Sequence, residues 1–84
     1  MDKQWFVYLL HCGDGSLYCG ITDDVLRRLE AHRSGKGAKY TRGRGPLELV
    51  YTEPCDSYCA ALKREAAIKK LKRPEKLALA GIED

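Results

Sequence analysis

The chain has 84 residues, 44% of them hydrophobic and 32% charged, with 15 Lys and Arg against 12 Asp and Glu for a formal net charge of +3. That length predicts one core and a single domain over residues 1–84, with no regulatory or specificity domain expected beside a catalytic one. No apolar run approaches the roughly 20 residues of a membrane span, which excludes a spanning helix.

Met1-Asp2-Lys3-Gln4 leads straight into the apolar run Trp5 to Leu10 without a small-residue cleavage site, so no secretory leader is expected and the compartment should be cytoplasmic. Gln4 to His11 has a strand composition. Ser16 to Thr22 is its expected hairpin partner, folded back around Cys12-Gly13-Asp14-Gly15, where Asp-Gly is a strong turn signal. Asp23 or Asp24 caps a helix to about Arg33, with Val25, Leu26 and Leu29 inward. After a basic glycine-rich loop, Leu47 to Thr52 forms a third strand. Asp56 or Ser57 caps a long helix toward Arg73, along which Tyr58, Ala61, Leu62, Ala66 and Ile68 recur at three-and-four spacing. Pro74 suits the first turn of a short last helix ending near Gly81. The order β-β-α-β-α-α predicts an α+β fold in which helices cover a small three-stranded antiparallel sheet.

Cys12, Cys19, Cys55 and Cys59 invite a zinc reading, but six residues separate the first two and three the last two, so neither pair is a C-x-x-C knuckle. Buried thiols acting as small hydrophobes explain them better. The positive charge is concentrated. Arg33 to Gly45 carries five basic residues, no acidic one and a central aromatic, with Lys36, Lys39, Tyr40, Arg42 and Arg44 as the candidate contacts to a polyanion. A second cluster, Lys63, Arg64, Lys69, Lys70, Lys72 and Arg73, falls on the long helix. Two such clusters on so short a chain favour a nucleic-acid backbone over a merely solvated basic face.

Glu65 is the anomaly. At about 100° per residue it projects between Ala61 and Leu62, in the middle of a stripe that should be core, where a carboxylate needs a cation, a hydrogen bond or a metal. Tyr8 in the first strand, Tyr18 in the second, and Arg28 and His32 four apart on one helix face complete a set that phosphodiester chemistry could use. Gly20 would let backbone or ligand approach closely. Tyr8 and Tyr18 share a sheet face only if the hairpin loop holds an odd number of residues or a bulge, a condition met by a three-residue loop Gly13-Asp14-Gly15 with Gly15 left-handed.

With these residues in place the chain resembles the GIY-YIG nuclease family over nearly its whole length. Phe6-Val7-Tyr8 stands at the first motif and Tyr18-Cys19-Gly20 at the second, Arg28 follows the second tyrosine by ten residues, His32 comes one turn later, and Glu65 matches the family's metal-binding glutamate. Phe6 replaces a glycine and Cys19 an isoleucine, while Ile21 stands where some relatives carry lysine. Gly43-Arg44-Gly45-Pro46 resembles the small standalone bacterial members and the catalytic domain of structure-specific endonucleases.

The resemblance implies a nuclease cutting DNA, branched or single-stranded forms among its substrates, in repair-type chemistry and with little sequence specificity. It implies Mg2+ or Mn2+ at Glu65, Arg28 forked onto the scissile phosphate, and Tyr8 and Tyr18 as base and water-orienting groups in either order, with His32 assisting. The alternative is a nucleic-acid-binding module of the same fold with weak or absent catalysis. Nothing in the pattern points to a protein partner.

Overall fold

The computed structural model describes residues 3–82; Met1 and Asp2, the first residues of the leaderless N-terminus expected above, lie outside it. Strands β1 (Trp5–His11), β2 (Leu17–Thr22) and β3 (Glu48–Cys55) form one antiparallel sheet in the order β2-β1-β3. Helices α1 (Val25–Arg33), α2 (Tyr58–Lys69) and α3 (Arg73–Leu79) flank it, and a short 3-10 turn spans Lys39–Thr41. This is the α+β arrangement and element order expected from the sequence. No helix among the described residues is long and apolar enough to cross a membrane.

The hairpin fixes the register of everything that follows. The Cys12 amide donates to the Ser16 carbonyl and the Gly15 amide to the Cys12 carbonyl, both at 2.9 Å, and Gly15 is left-handed at φ +86°. Asp14 Oδ1 pins the turn by accepting from the Ser16 amide at 3.0 Å. The loop is therefore the odd-numbered one, and the pairing Tyr8 with Gly20 and Leu10 with Tyr18 puts both tyrosines on one face.

β1 is the central strand, and Val7, Tyr8, Leu9 and Leu10 are all buried. Alternation sends Val7 and Leu9 to one face, where they join Cys19, Cys55, Ala61 and Ile68 in the core beneath α2. Tyr8 turns to the opposite face, toward α1. β3 runs three residues past the predicted Thr52; Pro54 is tolerated opposite Phe6 because β3 is an edge strand.

Two helix faces differ from expectation. On α1, capped by Asp24, the inward stripe is Val25, Arg28, Leu29 and His32, and Leu26, predicted inward, is 75% exposed because it lies one residue off that stripe. On α2, capped by Ser57, Ala61 and Ile68 are buried while Tyr58, Leu62 and Ala66 are exposed. The inward arc is rotated toward Ala60 and Arg64, the latter drawn in by a 2.7 Å contact from its Nε to Glu53 on β3. Glu65 accordingly sits at the margin of the buried stripe and not at its centre. The helix also ends at Lys69, so Lys72 and Arg73 of the second basic cluster belong to the start of α3.

Candidate active site

A buried chain of polar groups crosses the α1 face of the sheet. Tyr8 Oη lies 2.8 Å from His32 Nε2, and His32 Nδ1 lies 2.8 Å from the hydroxyl of Thr41. That hydroxyl donates to the Ala38 carbonyl at 2.9 Å. Tyr8, His32 and Thr41 are each 2% exposed. Burial pushes the Tyr8 phenol up to about 12, with the nearby Arg28 guanidinium opposing the rise. Burial, and then the Arg28 charge, hold the His32 imidazole below its ordinary value. Both groups are therefore neutral near pH 7, and Arg28, inward on the same stripe of α1, faces them.

Two glycines make this packing possible. A Cβ on Gly20 would stand 2.5 Å from Tyr8 Oη, and one on Gly37 would stand 2.4 Å from His32 Nδ1. Neither distance is compatible with a side chain. Tyr18 closes the cluster, its ring edge-on to His32 at 5.2 Å and 6.3 Å from the Tyr8 ring. The sequence-predicted residues Tyr8, Tyr18, Arg28 and His32 are thus gathered in one place.

Glu65 approaches from elsewhere. Its carboxylate lies on the Cys19 side of the sheet, where burial and next the Glu65 charge push the Cys19 thiol up to about 11. Among the described residues it makes one ion pair, with Lys69 one turn on, at 3.6 Å, and its side chain keeps 20% of its exposure. The two sides meet at the β2 edge, where a groove of about 360 Å3 is lined by Leu17, Tyr18, Cys19, Tyr40, Lys69 and Lys76. Tyr18 brings the tyrosine cluster to this groove and Lys69 brings the neighbourhood of Glu65.

The basic loop divides into exposed and engaged cations. Lys36, Lys39 and Arg42 are exposed. Arg33 instead donates to the Leu47 carbonyl at 3.1 Å, tying α1 to the start of β3. Arg44 pairs with Asp14 of the hairpin turn and sits over the Tyr40 ring at 4.3 Å, and Tyr40 stacks on Tyr18 at 5.7 Å. Tyr40 and Arg44 therefore clamp the loop onto the hairpin. Cys12, Cys19 and Cys55 are buried and Cys59 is exposed; all four are free thiols, and no group of three or more His, Cys, Asp or Glu side chains gathers among the described residues.

Sequence reasoning missed Thr41 and Gly37. Both lie in the loop read only as a polyanion contact, and a threonine nine residues after a histidine carries no periodic signal.

The chain is similar to known proteins over nearly its whole length. A family model described as the GIY-YIG catalytic domain matches residues 4–78. The chain is 55% identical over 80 residues to a UPF0213 protein of Vibrio cholerae, covering 94% of this chain and 79% of that one. It is 53% identical over 83 residues to a UPF0213 protein of Natronomonas pharaonis, covering 99% and 98%. The fold is similar to the solution NMR structure of a UPF0213 protein from Bacillus halodurans, with a TM-score of 0.60 and 50% identity over 93% of this chain and 83% of that one.

Proposed function

Because the chain belongs to the GIY-YIG family, whose domain is that of a nuclease, we propose that it hydrolyses DNA phosphodiester bonds endonucleolytically, with metal dependence and little sequence specificity. Tyr8, Tyr18, Arg28, His32 and Glu65 would carry the reaction. The observation that supports this most is the buried 2.8 Å contact of Tyr8 with His32, set beside Arg28.

A phenol held near 12 is a poor base by itself. Its partner changes that: an attacking water gives a proton to the Tyr8 oxygen while the Tyr8 proton passes to His32 Nε2. The hydroxide-like water bonds to phosphorus as the phosphorus–oxygen bond to the leaving sugar breaks, the departing oxygen keeping the electron pair and taking a proton from solvent; Tyr8 ends as it began, and His32 ends as imidazolium. Arg28 forks onto the non-bridging oxygens as negative charge builds there. Tyr18, on the same face, orients the water.

Glu65 would hold the metal. One part-exposed carboxylate, paired with Lys69 only at 3.6 Å among the described residues, fits a hard cation such as Mg2+ or Mn2+ that keeps most of its waters, and does not fit a protein cage. Bound there, the ion would polarise the scissile phosphate and offset its charge. Lys36, Lys39 and Arg42 would contact flanking phosphates, with Tyr40 and Arg44 holding the loop that carries them.

Purified protein incubated with branched, single-stranded and duplex DNA, in Mg2+ or Mn2+ and in EDTA, tests this. Cleavage that needs the metal and is lost in Tyr8→Phe supports it. Binding without cleavage of all three substrates in either metal would leave the binding-module reading in its place.

A further inference from the structure

Resting on that reading, we propose that Thr41 is a positioning residue: it fixes His32 in the tautomer protonated at Nδ1 and so leaves Nε2 bare to receive the Tyr8 proton. The relay works in only one tautomer. If Nε2 carried the proton, His32 would donate to the Tyr8 oxygen and have no lone pair to offer it.

The choice follows from counting protons. A threonine hydroxyl has one, and Thr41 gives it to the Ala38 carbonyl at 2.9 Å. What it presents to His32 Nδ1, 2.8 Å away, is a lone pair, so Nδ1 must be the N–H. A neutral imidazole has a single N–H, and the nitrogen left bare is the one 2.8 Å from Tyr8 Oη. The Ala38 amide pulls the other way, donating toward Nδ1 at 3.4 Å. The opposite tautomer would keep the Thr41 contact with its direction reversed and trade the 2.9 Å bond to the Ala38 carbonyl for the 3.4 Å one from its amide; the shorter bond decides, and with Thr41 and His32 each 2% exposed no bulk water competes. Gly37 lets the loop close onto the ring, since a Cβ there would meet Nδ1.

Thr41→Val keeps the shape and removes the hydroxyl. The Ala38 amide is then the partner left to Nδ1 among the described residues, so the proton should move to Nε2 and the bond with Tyr8 should reverse. The full chain, labelled with 15N in its imidazoles and observed at pH 7.5 by long-range proton–nitrogen correlation, reports this directly, with His11 as the internal reference. The expected result is a bare Nε2 at His32 in the wild type, the reversed pattern in Thr41→Val, and the wild-type pattern in Thr41→Ser. Single-turnover cleavage should fall about tenfold or more in Thr41→Val at unchanged DNA affinity and recover in Thr41→Ser.

A wild-type His32 protonated at Nε2, or a Thr41→Val ring that keeps its Nδ1 proton, overturns the proposal. If Thr41→Val does not fold, the wild-type and Thr41→Ser spectra decide, since both must show a bare Nε2. The two readings fail separately. Absent cleavage with the expected spectra removes the nuclease reading and leaves Thr41 in control of the ring; contrary spectra with intact cleavage remove Thr41 alone.

Discussion

On the α1 face of the sheet, Tyr8, His32 and Thr41 are buried and hydrogen-bonded end to end, whereas on the α2 side Glu65 stands part-exposed, paired with Lys69 at 3.6 Å. The difference separates two kinds of work. Groups that would exchange protons with one another are paired by the fold itself, because direct transfer between two side chains needs them within hydrogen-bond reach. The carboxylate that would meet a hydrated ion and a phosphate is left at a groove edge, where a ligand can complete it.

Breaking the open side should cost activity without stability. Glu65→Gln should reduce cleavage by about a thousandfold or more, as expected when metal polarisation is removed. Its melting temperature should hardly move, since an i,i+4 ion pair is worth only about 0.5 kcal/mol at most. A stability loss above about 2 kcal/mol by denaturant titration, the scale of a disrupted core or network, would mean that Glu65 is a structural residue after all.

Arg28 tests whether the preformed side also holds phosphate. Arg28→Lys keeps the charge and loses the planar fork, so single-turnover cleavage should fall on the order of a hundredfold at nearly constant DNA affinity. Arg27→Lys, one residue off the inward stripe, should be close to neutral. Equal losses at the two positions would show that the fork is not what matters.

The closed side should give the mirror image of Glu65→Gln. Gly20→Ala places a methyl 2.5 Å from Tyr8 Oη, on a ring His32 already holds, and should destabilise the fold by about 1–3 kcal/mol in chemical denaturation. A neutral result would mean the tyrosine face is looser than its hydrogen bonds indicate.

A smaller effect separates the two kinds of loop cation. Alanine at Lys36, Lys39 and Arg42 should lower the slope of log affinity against log salt by roughly 0.9 for every phosphate charge that the loop no longer neutralises. Arg44→Ala should change it less, because that charge already faces Asp14.

The smallest effect is on pH. His32 has a lowered pKa in the folded chain, so the unfolded chain binds more protons just below about pH 6.5, the ordinary histidine value. Stability should be full above that value and fall as pH drops toward the folded pKa, and His32→Gln should flatten melting temperature across this window. Asp14, Asp23 and Glu53, also lowered, act only in the more acidic carboxylate range. A slope unchanged in His32→Gln would place its origin elsewhere.

Local rules alone settled a good deal of this molecule. The Asp-Gly signal placed the first turn, while the folded hairpin, with Gly15 left-handed, chose the odd loop that puts Tyr8 and Tyr18 on one face over the two-residue turn that would part them. Asp24 and Ser57 start their helices by ordinary capping chemistry, and the four-residue spacing of Arg28 and His32 follows from the helical period. Such features depend on neighbours a few residues apart, which a sequence displays directly.

Only the tertiary structure decided how far each helix face turns and which distant groups meet. Leu26 pointing out while Arg28 and His32 point in, and Glu65 lying at the edge of the stripe on α2, depend on a rotation that a period cannot specify, because polar residues fill inward positions when partners await them. Those partners come from afar: His32 finds Tyr8 24 residues away, Arg44 finds Asp14 30 residues away, and Thr41 reaches His32 only because the loop folds back over Gly37. A hydrogen bond between such groups leaves no periodic trace in the chain, since its energy depends on where the loops close and not on residue spacing.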